Sequence, residues 1–254
     1  MNFKIEGNGE TVVFIHGLSD NLHYWEFLAE NLKVDYQILR VDLRGHGESE
    51  LGDDEITIDL YCNDLVNLLD ELSIDKLNLV GFSLGGAVAL DFAVKYPERL
   101  SSLVLMSSFS KIGEYSEKII VQLKNALENS FEEFYDLILP KILCGEVIDE
   151  NRKELDALRE ITSQSANTQA YIKAFDACLD FDRDEDLSEI NIPTLVLAGK
   201  YDEIFNLDAQ IELQGKIKNS RLIVFDNAKH NLLVGKNNLE ILEILKDFLK
   251  KESK

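Results

Sequence analysis

Residues 77–93 admit few folds. Leu77-Asn78-Leu79-Val80 is an apolar run, Gly81-Phe82-Ser83-Leu84-Gly85 follows at once, and Gly86-Ala87-Val88-Ala89-Leu90-Asp91-Phe92-Ala93 continues with helix formers. The pattern is strand, sharp turn, helix, with a serine at the apex. Gly-x-Ser-x-Gly alone recurs by chance as an inert loop; between a strand and a helix it is a nucleophile elbow. Such a turn holds the serine backbone at strained angles, and small flanking residues let strand and helix approach closely. The serine hydroxyl then stands at the carboxyl end of a sheet, beside the positive N-terminus of a helix.

The same alternation runs through most of the chain. Short runs rich in β-branched and aromatic residues predict strands at Thr11–Ile15, Ile38–Val41, Leu77–Val80, Leu100–Met106, Thr194–Ala198 and Arg221–Phe225. Apolar residues at helical spacing predict helices from Ile56 to Leu72, from the elbow to Tyr96 before Pro97, and from Leu239 to Leu249. Strands alternating with helices imply an α/β fold with a doubly wound, mainly parallel sheet. Residues 110–188 break the alternation. Their apolar residues recur at three and four, as Ile119, Ile120, Leu123 and Leu127, then Phe131, Phe134, Tyr135 and Ile138, then Leu155, Leu158 and Ile161, then Ile172, Phe175 and Leu179. Three or four helices are expected there, with no strand. An all-helical block inserted at the carboxyl edge of a sheet is a natural lid. The organisation expected is core 1–109, helical lid 110–188 and core 189–254, with 254 residues suiting one large domain plus an insertion.

Charge and cysteines narrow the partners. A net charge of −21 repels polyanions and excludes nucleic acid as the main partner. The three cysteines, Cys62, Cys144 and Cys178, are widely spaced with no C-x-x-C and read as free thiols of a reducing compartment. No histidine pair has metal-ligand spacing, so no metal is expected. No leader-like core or membrane-length apolar run is visible, which predicts a cytoplasmic protein that does not engage a membrane.

A serine hydroxyl needs a base within hydrogen-bond reach, and the base needs an orienting acid. The histidines are His16, His23, His46 and His230, and only His230 follows Ser83. On a fold with the elbow the order is serine, acid, histidine, so His230 is the base. The acid should follow a strand end: Leu195-Val196-Leu197-Ala198-Gly199 leads into Lys200-Tyr201-Asp202-Glu203. Asp202 is the candidate and Glu203 the alternative. The preceding strand ends in Ser107-Ser108-Phe109, without a carboxylate, and Asp226 reads as the end of the last strand or its turn. Two backbone N–H groups must receive the oxyanion. They are assigned to Leu84, after the nucleophile, and Leu18, in the loop after the first core strand.

Together His16-Gly17, Trp25, Asp42-Leu43-Arg44-Gly45-His46-Gly47-Glu48-Ser49, Gly81 to Gly86, Gly199-x-x-Asp202 and His230 resemble the α/β-hydrolase superfamily. The likeness covers nearly the whole chain outside 110–188. It implies that Arg44 and His46 belong to a structural turn and that Trp25 is packing. A serine nucleophile sets the chain apart from the similar dehalogenases and epoxide hydrolases, which use aspartate there. Departures from the pattern are Lys229 where a glycine often precedes the base, Asn231 where an aromatic follows it in carbon–carbon hydrolases, no acidic-x-Pro stretch after it, and a trimmed first hairpin, since only Asn2–Glu6 precede the first core strand. The resemblance implies a cofactor-free serine hydrolase acting on a small-to-medium, partly apolar carboxylic ester through an acyl-enzyme. Leu18, Phe82, Phe109 and Phe205 are expected to line its pocket, with Phe134 and Tyr135 contributing from the lid. The same triad could serve a lactonase, a thioesterase, a carbon–carbon hydrolase or an elimination catalyst, and a slow-turnover small-molecule receptor is the competing class.

Overall fold

The computed structural model describes residues 1–252. Seven strands form one sheet: β1 Phe3–Glu6, β2 Thr11–Ile15, β3 Gln37–Val41, β4 Leu77–Phe82, β5 Leu100–Met106, β6 Thr194–Gly199 and β7 Ser220–Phe225. Their spatial order is β1-β3-β2-β4-β5-β6-β7. Every ladder is parallel except β1 with β3. The six parallel strands are those that the apolar runs predict; β2, β4, β5 and β6 are buried on both faces as such runs require, while the edge strand β7 is mostly half-buried. β2 shows this plainly. Val13 and Ile15 join the apolar cluster on one face of the sheet, while Val12 and Phe14 join the cluster on the other.

β1 carries no such signal. Three of its four residues are exposed, and it lies antiparallel along β3, pairing Phe3 with Val41. The expected short N-terminal segment is therefore an edge strand on β3 rather than one arm of a hairpin with β2.

Around the sheet lie α1 Glu26–Leu32, α2 Ile58–Glu71, α3 Leu84–Lys95, α4 Glu114–Asn129, α5 Phe131–Ile142, α6 Gly145–Glu150, α7 Arg152–Ser165, α8 Thr168–Leu179, α9 Leu207–Lys216 and α10 Asn238–Glu252. The helix starts follow local chemistry. Thr57 caps α2 by accepting from Leu60 N, and Ser130 caps α5 by accepting from Glu133 N. α3 stops at Lys95, short of the expected Tyr96, because Pro97 follows and restricts the residue before it. Leu28 and Leu32 of α1 and Leu245 and Leu249 of α10 cover one face of the sheet. α2, α3 and α9 cover the other.

Five helices, not three or four, occupy the stretch between β5 and β6 among the described residues. The extra one is α6, six residues long, with Ile148 alone buried. One turn of helix shows no apolar repeat, so periodicity cannot find it. α4, α5 and α8 share one continuous apolar cluster with the sheet through Leu123, Phe134 and Phe175. No helix among the described residues is long and apolar enough to cross a membrane.

The parallel strands end level with one another at their carboxyl edge. Ile15 pairs with Gly81, Phe82 with Met106, Met106 with Leu197, and Gly199 with Phe225. The chain adds β3 on one side of β2 and β4 on the other, so the winding reverses between β2 and β4. Open α/β sheets form their crevice outside the strand ends at such a reversal.

Candidate active site

Ser83 stands at that reversal, between β4 and α3, with φ +51°. This is the left-handed region that a non-glycine residue adopts at a cost of about 1–3 kcal/mol. Backbone bonds hold it there: Ser83 N donates to Met106 O at 2.9 Å, and Ser83 O accepts from Gly86 N at 2.9 Å and from Ser108 Oγ at 2.9 Å. The flanking glycines answer to sterics. A Cβ at Gly81 would collide with the carbonyl of Gly85, and one at Gly85 with the carbonyls of Ile15 and His16. Gly-x-Ser-x-Gly thus lets β4, α3 and β2 close in on one another.

Asp202 lies in the turn after β6 and His230 in the loop after β7. His230 Nδ1 is 2.8 Å from Asp202 Oδ2. The other carboxylate oxygen, Oδ1, accepts from Ile204 N at 2.7 Å and Phe205 N at 3.0 Å. Both side chains are buried, and the histidine ring lies between aromatic rings, 5.1 Å from Phe82 and 5.6 Å from Phe205. A carboxylate fixed by two backbone donors can hold a Nδ1–H imidazole in one orientation, leaving Nε2 as the free nitrogen. Glu203, the alternative acid, is committed elsewhere: it pairs with Lys229, whose Nζ also donates to Pro140 O of α5 at 2.6 Å. Together with Asn231 N donating to Ile142 O at 3.0 Å, this fastens the His230 loop to the helical insertion.

Ser83 and His230 line one cavity of about 320 Å³. Leu18 and Leu84 line it too, and neither backbone N–H has an acceptor among the described residues. Phe82, Phe109, Phe205, Phe134 and Tyr135 are all on its wall. The sheet edge supplies one side; α4, α5, α7 and α8 supply the other. The lining is mostly apolar and holds no lysine or arginine among the described residues. Asp20 and Asn231 also reach it, as does Tyr171. Sequence reasoning passed over Asp20; its only signal was a carboxylate two residues beyond Leu18, in the loop already assigned to the oxyanion.

His16 and His46 are structural, and His23 is exposed at the surface. His16 Nε2 accepts from Leu43 N at 3.0 Å and its Nδ1 donates to Gly17 O at 2.7 Å. Burial depresses its pKa to about 4, and that of His46, packed 5.3 Å away, to about 3. Both rings are neutral at neutral pH. Asp42 takes donors from Leu22 N, Asn2 Nδ2 and Glu48 N, and Arg44 forms a two-pronged pair with Asp64, which makes 42–49 a braced turn. Trp25 is fully buried against Phe14. All three cysteines are free thiols; Cys178 lies on the cavity wall, its pKa raised to about 12 by burial.

Known proteins arrange themselves around this geometry. A family model described as the alpha/beta hydrolase fold matches residues 10–153 and 148–236. A Bacillus subtilis protein named putative 2-succinyl-6-hydroxy-2,4-cyclohexadiene-1-carboxylate synthase is 31% identical over 238 residues, covering 89% of this chain and 85% of its own. A putative carbamate hydrolase of Rhizobium rhizogenes is 28% identical over 238 residues, covering 91% and 90%. The crystal structure of an enol-lactonase from Burkholderia xenovorans superposes with a TM-score of 0.90 at 23% identity, covering 98% of this chain and 96% of that one, a likeness of fold. Family model, full-length relatives and sheet topology agree, and the chain belongs to the α/β-hydrolase family.

Proposed function

We propose that this chain is a serine hydrolase that cleaves a small-to-medium, partly apolar carboxylic ester. Ser83 is the nucleophile, His230 the base and Asp202 the residue that orients it. The observation that carries this reading is the Asp202–His230 contact, with Asp202 anchored by two backbone N–H groups, opening onto the cavity that Ser83 lines. Ser83 Oγ attacks the ester carbonyl as its proton passes to His230 Nε2. The oxyanion is received by the free N–H groups of Leu18 and Leu84, the latter at the N-terminus of α3. The intermediate collapses, the alcohol leaves with the proton from His230, and water repeats the sequence on the acyl-Ser83. Only the chain's own groups are used.

The cavity disfavours an anionic substrate. The name of the Bacillus subtilis relative contains a succinyl and a carboxylate group. Here the lining offers no cationic side chain to balance either, so an ester with apolar arms fits better than an anionic one. A lactone, being a cyclic ester, would follow the same steps. p-Nitrophenyl esters of rising acyl length test the reading. Turnover with an optimum at medium length is expected; tight binding without turnover would point to a receptor and overturn it.

The insertion acts here as a lid that shapes the acyl site. Phe134 is fully buried against Phe131 and Phe175 as well as facing the cavity, so Phe134→Ala should cost about 3–5 kcal/mol of stability and is a poor probe. Tyr135 is half-buried, its hydroxyl donating to Leu155 O at 3.0 Å. Tyr135→Ala should shift KM and the chain-length optimum while leaving kcat on an acetate ester nearly unchanged. An unaltered chain-length profile in a well-folded Tyr135→Ala protein would separate the insertion from substrate binding.

Lys229, the residue that departs from the family pattern, links the two halves of the site. Lys229→Met removes its bonds to Glu203 and Pro140 O while keeping the aliphatic stem. KM for long-chain esters should rise by roughly threefold to tenfold through loosening of the lid, with Asp202 and His230 still in contact. Equal losses on short and long esters would show that Lys229 instead supports the triad loops themselves.

A further inference from the structure

Asp20 is out of keeping with the rest of the molecule. Other buried or partly buried carboxylates are partnered: Asp42 takes three donors, Asp91 pairs with Lys95 and Arg183, and Asp64 holds Arg44. Asp20 has its backbone N–H bonded to Gly17 O at 3.2 Å, yet its carboxylate accepts no hydrogen bond and joins no ion pair among the described residues. Its side chain is only partly exposed. Asp20 lines the cavity, in the same loop as Leu18. It is the sole carboxylate in the lining among the described residues. The titratable groups about it are Tyr24, Tyr171 and, along the same wall, Tyr135, Cys178 and His230, with His46 packed on Tyr171 and His16 on His46; none is a lysine or an arginine.

An unpaired carboxylate in an apolar cavity is costly and stabilises nothing. Such a group is retained where a ligand brings its partner. A ligand ammonium completes the site in charge as well as hydrogen bonding, whereas a carboxylate meets repulsion. The chain's net charge of −21 also draws cations toward the cavity mouth and turns anions away. We propose that Asp20 is a specificity-determining residue that binds an amine-bearing arm of the ester substrate and rejects carboxylate-bearing ones. The proposal rests on the hydrolase reading given above and deepens it.

Three methyl esters with the same spacer make the test: methyl 4-aminobutanoate, methyl pentanoate and monomethyl glutarate. At about pH 8 the wild-type protein should show kcat/KM in the order amine, neutral, carboxylate, with the amine favoured over the neutral ester by about 10–100-fold, mainly through KM. Asp20→Asn should bring the amine and neutral esters to within about threefold and relieve the penalty on the glutarate ester. Burial holds the Asp20 carboxyl at about 7, so the amine-to-neutral ratio should be present above pH 7 and fade as the pH falls below it. Taking the ratio cancels the titration of the base, which acts on both esters alike.

A wild-type preference for the glutarate ester, or the same order in Asp20→Asn, overturns the proposal. Stability separates a binding role from a structural one. The folded-state pKa lies above the unfolded value, so the ionised carboxyl weakens the fold above pH 7 and ceases to do so once both states are protonated, below about pH 4. Asp20→Asn should therefore raise Tm at pH 8 and lose that gain on acidification; a lowered Tm at pH 8 would mark a structural residue and overturn the proposal. If the wild type hydrolyses none of the esters, the hydrolase reading fails separately. Methyl 4-aminobutanoate raising the Tm of the wild type and not of Asp20→Asn would then still support the site, and no shift in either protein would overturn it.

Discussion

Ser83→Ala should abolish both covalent labelling by a fluorophosphonate and hydrolysis of p-nitrophenyl esters, with activity falling by about a millionfold. The wild type should take up one label per chain, at Ser83. The substitution is clean because the elbow is held by the backbone of residue 83, through Met106 O, Gly86 N and Ser108 Oγ, and alanine keeps every one of those bonds. Alanine at φ +51° carries the same strain as serine, so Tm should move little. Labelling or turnover that survived the change would remove Ser83 from the nucleophile role.

Asp202→Asn should lower kcat by about 10⁴-fold, while Glu203→Gln costs less than about tenfold. The bonding of Asp202 makes the outcome specific. Oδ1 already accepts from Ile204 N and Phe205 N, so the asparagine carbonyl must occupy that position and its NH₂ must face His230. The ring is then obliged to accept at Nδ1 and carry its proton on Nε2, where it cannot take one from serine. Glu203→Gln disturbs only the pair with Lys229. Kinetics and melting curves on both variants decide the matter, and the reverse ranking would transfer the orienting role to Glu203.

Strands buried on both faces announce themselves as unbroken apolar runs, and so β2, β4, β5 and β6 stand within a residue or two of their expected limits. β1 does not, because a mostly exposed edge strand needs only β3 beside it and no apolar run of its own. The order serine, acid, histidine pointed to Asp202 and His230 as candidates by their positions after strands, and the structure has the two side chains 2.8 Å apart. Residues 110–188 gave their apolar periodicity but not their count, since α6 is too short to repeat. That Phe134 divides its surface between the interior of the helical insertion and the cavity could not be foreseen, because both environments demand the same aromatic.

Asp20 and Lys229 mark where the linear chain stops speaking. In sequence Asp20 is one of 47 acidic residues, unremarked in a loop. Only the fold places it on the wall of an apolar cavity, with no ion pair among the described residues. Lys229 reads as a departure from a pattern, and only the docking of α5 turns it into a link between the loops after β6 and β7 and the helical insertion. By itself the sequence determined the doubly wound sheet, the elbow at Ser83 and the chain order of its partners, because local sterics and apolar periodicity are written into neighbouring residues. The tertiary structure alone decided what the cavity holds, for charge balance and burial depend on residues far apart in the chain that meet only when it is folded.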